Sequence, residues 1–138
     1  MKITVHESLP EEAMVIRQRV FVEEQGFIDE FDEQDKHSVH LLAWDEDQPV
    51  GTCRIFAEEG SGEWHLGRLA VVRDMRKKHV GALLMKEAEE QARERGAVRM
   101  ILGAQYQAVP FYEKQGWHVY GEQFLDQNYP HYPMEKTF

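Results

Sequence analysis

The chain has a single cysteine, Cys53, among 138 residues. One thiol excludes an internal disulfide framework, and a reducing cytoplasm is the expected home. No apolar run approaches the ~20 residues that span a bilayer. The opening MKITVHESLP lacks the apolar stretch of a signal peptide, so no membrane partner is expected. Positive charge is in short supply: 16 Lys and Arg against 25 Asp and Glu leave a net charge of −9. That balance argues against nucleic acid as a partner and fits a well-solvated surface or a cationic substrate. Two familiar phosphate sites are missing, since neither G-x-x-x-x-G-K-[ST] nor G-x-G-x-x-G occurs. His37 and His40 stand three apart with no third ligand evident beside them, so no metal site is expected. Internal repeats, linkers and low-complexity stretches are absent as well.

What is present suits one folded domain over residues 1–138. A hydrophobic fraction of 42%, with 11% aromatic residues, can fill a core at this length without staples. Residues 2–6 alternate as a short strand. Ser8 offers an N-cap to a helix whose apolar positions Ala13, Ile16, Val20 and Phe21 fall at helical spacing before Gly26. Residues 27–37 are acidic and read as a loop or a short helix. Residues 39–44 and 50–57 form a hairpin about the turn at Asp45 to Pro49, followed by a strand at 64–72. In the next helix Val80, Leu83, Leu84, Ala88 and Ala92 make the apolar stripe and Gly96 the stop. Residues 98–104 read as a buried strand. Residues 108–116 read as a short helix, with Pro110 in its first turn and Gly116 just past its end. Residues 117–125 and 132–137 close the chain as strands. The order predicts an α/β (α+β) protein, with a mixed central sheet of about six or seven strands flanked by about four helices. Cys53 and Met85 are expected in the core.

The stretch RKKHVGALLM, residues 76–85, stands out in so acidic a chain. Arg73, Arg76, Lys77 and Lys78 place four positive charges ahead of a helix whose N-terminus is the positive end of a dipole. Cations there repel the dipole unless an anion sits between them, and the free N–H groups of a helix start bind phosphate. Gly81, without a Cβ, lets a ligand approach the backbone. The alternative is a solvated basic turn with a glycine for packing.

RKKHVGALLM is similar to the acyl-coenzyme A pyrophosphate loop of the GNAT N-acetyltransferases, [QR]-x-x-G-x-[GA]. Arg76 matches the first position and Gly81 the last, and His79 stands where the motif has glycine. GRLAVV at 67–72 resembles the family strand that pairs with the pantetheine arm. QAVPFYEKQGW at 107–117 resembles the second signature, A-x-x-x-Y-x-x-x-G-[FW], through Ala108, Tyr112, Gly116 and Trp117. RQRVFVEEQGF at 17–27 and FLDQNYPHYPME at 124–135 look like the small bacterial ElaA/YjcF-like subfamily. The resemblance covers the whole chain.

It implies the GNAT fold and transfer of acetyl from acetyl-CoA to a primary amine by direct attack, with coenzyme A as product, no metal, and a homodimer. Arg76, Lys77, Lys78, His79, Val80, Gly81 and Ala82 are then expected to hold the phosphates. Leu69, Ala70 and Val71 are expected to meet the pantetheine arm and to polarise the thioester carbonyl through a backbone N–H. Gln105, Ala108, Phe111 and Tyr112 are expected to border the same ligand. Tyr112 takes the position of the general acid that protonates the departing thiolate. The base that accepts the ammonium proton stays open among Glu24, His40, His65 and His131, directly or through water.

Seven carboxylates lie within 23–35, namely Glu23, Glu24, Asp29, Glu30, Asp32, Glu33 and Asp35, with no Lys or Arg among them. They read as a solvated loop or as an electrostatic funnel for a small cationic metabolite. Two other functions share these features. A non-catalytic acyl-coenzyme A binding or sensing module would hold the same ligand without using Tyr112. RVFVEEQGF, DEFDEQD and GTCRI also look like the N-terminal half of acyl-homoserine lactone synthases, longer proteins of this fold that lack a good pyrophosphate loop.

Overall fold

The N-terminal half builds strands that pair with their neighbours in chain order, those over Val39–Asp45 and Gln48–Ala57 being buried over most of their length. In the computed structural model, which describes residues 1–28 and 31–138, β1 (Lys2–His6), β2 (Val39–Asp45), β3 (Gln48–Ala57) and β4 (Glu63–Val71) run antiparallel in that order. β5 (Arg99–Gln105) joins β4 in parallel. β8 (Tyr129–Thr137) pairs with β5, and both β6 (His118–Val119) and β7 (Phe124–Asp126) pair with β8. The sheet thus has eight strands, against an expectation of six or seven. The difference lies in residues 117–125, which form two short strands instead of one. Gly121 lies between them, tight against β8: a Cβ there would stand 2.9 Å from Pro133 Cγ.

Three α-helices flank the sheet: α1 (Glu11–Arg17), α2 (Val80–Glu94) and α3 (Val109–Lys114). A fourth helical piece, Gln18–Glu24, continues α1 with π geometry. Pro10, not Ser8, holds the cap position of α1, and its carbonyl accepts from the N–H groups of Ala13 and Met14 at 3.1 and 3.3 Å. The proline ring presets the backbone entering the first turn.

α2 packs on the face of β3 that carries Gly51. A Cβ at Gly51 would stand 2.9 Å from Leu84 Cδ1 and 3.0 Å from Val80 Cγ1, so the bare backbone is what lets the helix sit this close. Val80, Leu84, Met85, Ala88 and Ala92 are buried there. Each large side chain among them contributes about 1.5–3 kcal/mol. Leu83 departs from the expected stripe and is 42% exposed, because the helix centres Leu84 and Met85 on the sheet. Cys53 is buried, and desolvation pushes its thiol up to about 12, which leaves it an unreactive packing group.

The opposite face of β3 carries Arg54 into a buried ion cluster. Arg54 donates to Asp32 Oδ1 at 2.7 Å and to Asp35 Oδ1 at 2.8 Å. Arg17 of α1 donates to the two Asp35 oxygens at 2.9 and 3.2 Å. Burial pushes the Asp35 carboxyl up, but the hydrogen bonds from Arg17 and Arg54 outweigh it and hold the group below the usual carboxylate range. The cluster fastens α1 and the turn Glu33–His37 to this face.

β4 and β5 pair only over Glu63–His65 against Arg99–Ile101, then diverge. A bulge bends β4 at the divergence. Gly67 pairs with Arg54 and Ala70 with Thr52, so Arg68 and Leu69 together oppose Cys53, and Arg68 takes φ 53°.

Candidate active site

The divergence of β4 and β5 opens a cavity of about 1010 Å³. Beyond His65 and Ile101 neither strand bonds the other, so the facing edges of β4 and β5 border the opening. α2 points its start at the same opening. The N–H groups of Val80, Gly81 and Ala82 have no acceptor among the described residues, and Leu83 is the first to bond, to His79 O at 3.0 Å.

Ahead of that helix the backbone turns twice through the left-handed region, at Lys77 (φ 71°) and His79 (φ 64°). A glycine takes such a conformation freely, whereas a histidine does so at a cost of about 1–2 kcal/mol. His79 therefore keeps the backbone shape that the glycine of the motif supplies. Arg76 folds back onto the strand: its Nε donates to Val71 O at 2.9 Å. Its guanidinium meets Glu24 at 2.9 and 3.1 Å, with Arg73 3.5 Å from the same carboxylate. Burial pushes the Glu24 carboxyl up, but Arg76 and then Arg73 outweigh it and keep the group below the usual range.

Most of the expected ligand-holding residues converge here. Leu69, Val71, Arg76, Lys77, His79, Val80, Gly81 and Ala82 line the cavity, and so do Gln105, Ala108, Phe111 and Tyr112. Two stand off it. Ala70 turns its side chain into the core, and Lys78 is exposed with its N–H spent on Met75 O.

The candidates for proton transfer separate by environment. Glu24 is held by arginines, and His40 is buried with Nε2 on Asp35 O at 2.9 Å; neither borders the cavity. His65 borders it, stacked on Phe56 at 4.8 Å and facing Glu58 at 3.4 Å. His131 borders it too, 8% exposed, with Nδ1 2.8 Å from Tyr129 O. A carbonyl only accepts, so Nδ1 donates, and in the neutral ring Nε2 carries the lone pair. That Nε2 has no partner among the described residues. Tyr112 is 9% exposed and packs edge-on against Phe111 at 5.1 Å. Its hydroxyl has no hydrogen-bond partner among the described residues. Burial, with Cys53 adding to it, pushes that hydroxyl well above the usual tyrosine range, so the phenol keeps its proton.

Glu24, Asp32 and Asp35 are each paired with arginine, and Glu33 meets Lys36 at 3.3 Å on the surface. Asp29 and Glu30 lie outside the described residues. Asp126 is the one carboxylate among the described residues that line the cavity. One trio of metal-ligating types, Glu58, Glu63 and His65, brings its atoms within 4.8 Å of one another. Glu63 is already held by Arg99, so the trio is not assigned a metal.

Sequence reasoning missed the ring-lined side of the cavity, formed by Phe27, Phe56 and Phe124. One signal was available. A glycine inside a strand marks a close approach, and a Cβ at Gly103 would stand 3.0 Å from Phe124 Cζ.

A diverging parallel pair with a helix start and a basic turn at its mouth makes an opening suited to a long anionic ligand. Residues 7–138 match the family described as Acetyltransferase (GNAT) domain, and the chain belongs to that family. It is an acetyltransferase of the GNAT type, whose members use acetyl-CoA. It is 39% identical over 137 residues to the uncharacterized N-acetyltransferase YjcF of Bacillus subtilis (strain 168), covering 97% of this chain and 96% of that one. The crystal structure of Escherichia coli ElaA matches with a TM-score of 0.87 at 26% identity, over 98% of each chain. A Bacillus subtilis acetyltransferase solved in complex with CoA shares the fold, with a TM-score of 0.77 at 17% identity over 99% and 98% of the two chains. Among the described residues no helix is long and apolar enough to cross a membrane.

Proposed function

We propose that the protein moves the acetyl group of acetyl-CoA to a primary amine by direct attack. One observation carries the reading. His131, with a fixed tautomer and an open Nε2, borders the same opening as Tyr112, whose proton is retained. Bound acetyl-CoA supplies an activated thioester. The unpartnered N–H groups of Val80, Gly81 and Ala82 and the basic residues Arg76 and Lys77 suit its phosphates. The edge of β4 that parts from β5 suits its amide-bearing arm, and a backbone N–H at Leu69, Ala70 or Val71 polarises the carbonyl. His131 takes the proton of the attacking ammonium, directly or through water, and Tyr112 donates to the departing sulfur. Glu24 is the weaker candidate, since arginine holds its carboxylate and it does not border the cavity; His65 borders it and stays an alternative base. A small cationic acceptor draws less support from the acidic stretch, because Glu24, Asp32 and Asp35 are engaged by arginine. The reading includes a cytoplasmic location, for which the lone buried Cys53 speaks, and a homodimer, which light scattering checks.

Thiol release from acetyl-CoA in the presence of amines tests the proposal. His131→Ala and Tyr112→Phe should each lower kcat by about 10²–10⁴-fold. Added imidazole should restore part of the His131→Ala loss, and coenzyme A should still raise the melting temperature of both variants. A full rate in Tyr112→Phe, with coenzyme A still bound, removes the tyrosine from the chemistry. Binding without release from any amine leaves the binding-module reading in its place.

A further inference from the structure

The cavity has two unlike sides. The side toward α2 and α3 carries the helix start, the basic turn and Tyr112. The other side, beneath the π-helical segment, is walled by rings. His65 lies flat on Phe56, with centroids 4.8 Å apart and planes 4° from parallel. His131 stacks on Phe124 at 5.6 Å and 28°. Phe124 itself lies over the bare backbone of Gly103 and is 41% exposed. Phe27 adds its ring, set edge-on to Tyr129 at 5.6 Å.

The polar groups on this side are mutually engaged. Gln105 Nε2 donates to Gln25 Oε1 at 3.0 Å, Gln107 Nε2 to Gln105 Oε1 at 2.6 Å, and Tyr129 Oη to Gln107 Oε1 at 3.0 Å. Gln127 closes the rim by pairing its side-chain amide with both backbone groups of Ile28, at 2.8 and 3.0 Å. A polyhydroxylated or polycationic acceptor would find few free acceptors here, and Asp126 as the one carboxylate among the described lining residues. Ring walls are what this side offers, Phe124 being the most exposed of them, while Phe56 is already faced by His65 and, at 5.6 Å, by the Arg54 guanidinium.

Building on the acetyl transfer proposed above, we infer that the acceptor is a primary amine borne on a short linker from a flat aromatic ring. The ring lies among Phe27, Phe56 and Phe124, and the amine reaches His131 Nε2. Phe56 and Phe124 set specificity in this reading, and they contact the body of the acceptor, not the reacting atoms.

The test is thiol release from acetyl-CoA with 2-phenylethylamine, tryptamine, spermidine and kanamycin at matched concentrations. kcat/KM for the two aryl amines should exceed that for spermidine and kanamycin by roughly 10- to 100-fold, the scale on which apolar pockets discriminate. Phe124→Ala and Phe56→Leu should raise KM for the aryl amines and leave kcat nearly unchanged. The coenzyme A-induced melting shift should be retained in both variants, which shows that each still folds. Equal rates across the panel, or a preference for spermidine or kanamycin, would overturn this inference while acetyl transfer stands. Competition between hexanoyl-CoA and the aryl amine for one volume would also overturn it, since the ring-lined side would then hold acyl chain. No release with any amine would sink the inference together with the proposed function.

Discussion

Replacing His79 by glycine should leave the protein equally or more stable and should not weaken coenzyme A binding. The worked magnitude starts from the backbone. His79 has φ 64°, a region that costs an L-residue about 1–2 kcal/mol. Glycine removes that strain but gives the unfolded chain more freedom, worth about 0.5–1 kcal/mol in the other direction. The net for His79→Gly is a gain of about 0–1 kcal/mol. His79→Ala keeps the strain and discards the imidazole, so it is the control. The glycine variant should exceed the alanine variant by about 1 kcal/mol, or about 3–4 °C in Tm for a chain of this length. Thermal unfolding with and without coenzyme A reads both quantities. Equal melting temperatures for the two variants would refute the strain argument. A more than tenfold loss of coenzyme A affinity in a well-folded His79→Gly protein would show that the ligand uses the imidazole, not the shape of the turn.

Acid should unfold the protein in two stages. Desolvation pushes His40, set among Asp35, Arg17 and Arg54, below its usual 6.5, so the unfolded chain binds that proton more readily and stability falls as pH drops below about 6.5. Asp35, Asp32 and Glu24 lie below their usual 3.8, 3.8 and 4.5, so their contributions are full above those values and vanish as pH falls through the folded ones. Tm against pH should show both stages, and His40→Gln should erase the upper one. Gly51→Ala should destabilise by about 1–3 kcal/mol in chemical denaturation, because the added methyl meets Leu84 and Val80 at 2.9 and 3.0 Å. Asp35→Asn should cost about 3–5 kcal/mol by the same measurement, since it strips a buried charge from Arg17 and Arg54.

Features written within a few residues were legible in the sequence. β1 was expected at 2–6 and runs over Lys2–His6. α2 followed from its apolar spacing and the glycine beyond its end. The basic turn ahead of α2 stood out because charge and helix dipole act locally, while the missing Cβ of Gly81 makes room for Phe111, whose Cζ would stand 3.1 Å from it. What escaped depends on pairings far apart in the chain. Nothing near Glu24 announces that it meets Arg76, 52 residues on, or near Gln25 that it meets Gln105, 80 residues on. Acidic residues counted along 23–35 therefore read as free charge, although three of them are neutralised from other elements. The bulge at Arg68 takes its positive φ at a residue whose type does not advertise it, and the ring-lined wall assembles from a loop and four separate strands.

The parting of β4 and β5 also bears on solubility. An unpaired strand edge invites another chain to add to it, and edges at a sheet's rim need charges, prolines or bulges as guards. Here the edges that part between β4 and β5 face inward, at the centre of the sheet, where α2, α3 and the π-helical segment stand around them. An incoming strand would have to thread between those walls, whereas a thin, flexible ligand slides in along the edge. The same hydrogen-bonding groups are thus open to a small guest and shut to a second copy of the protein.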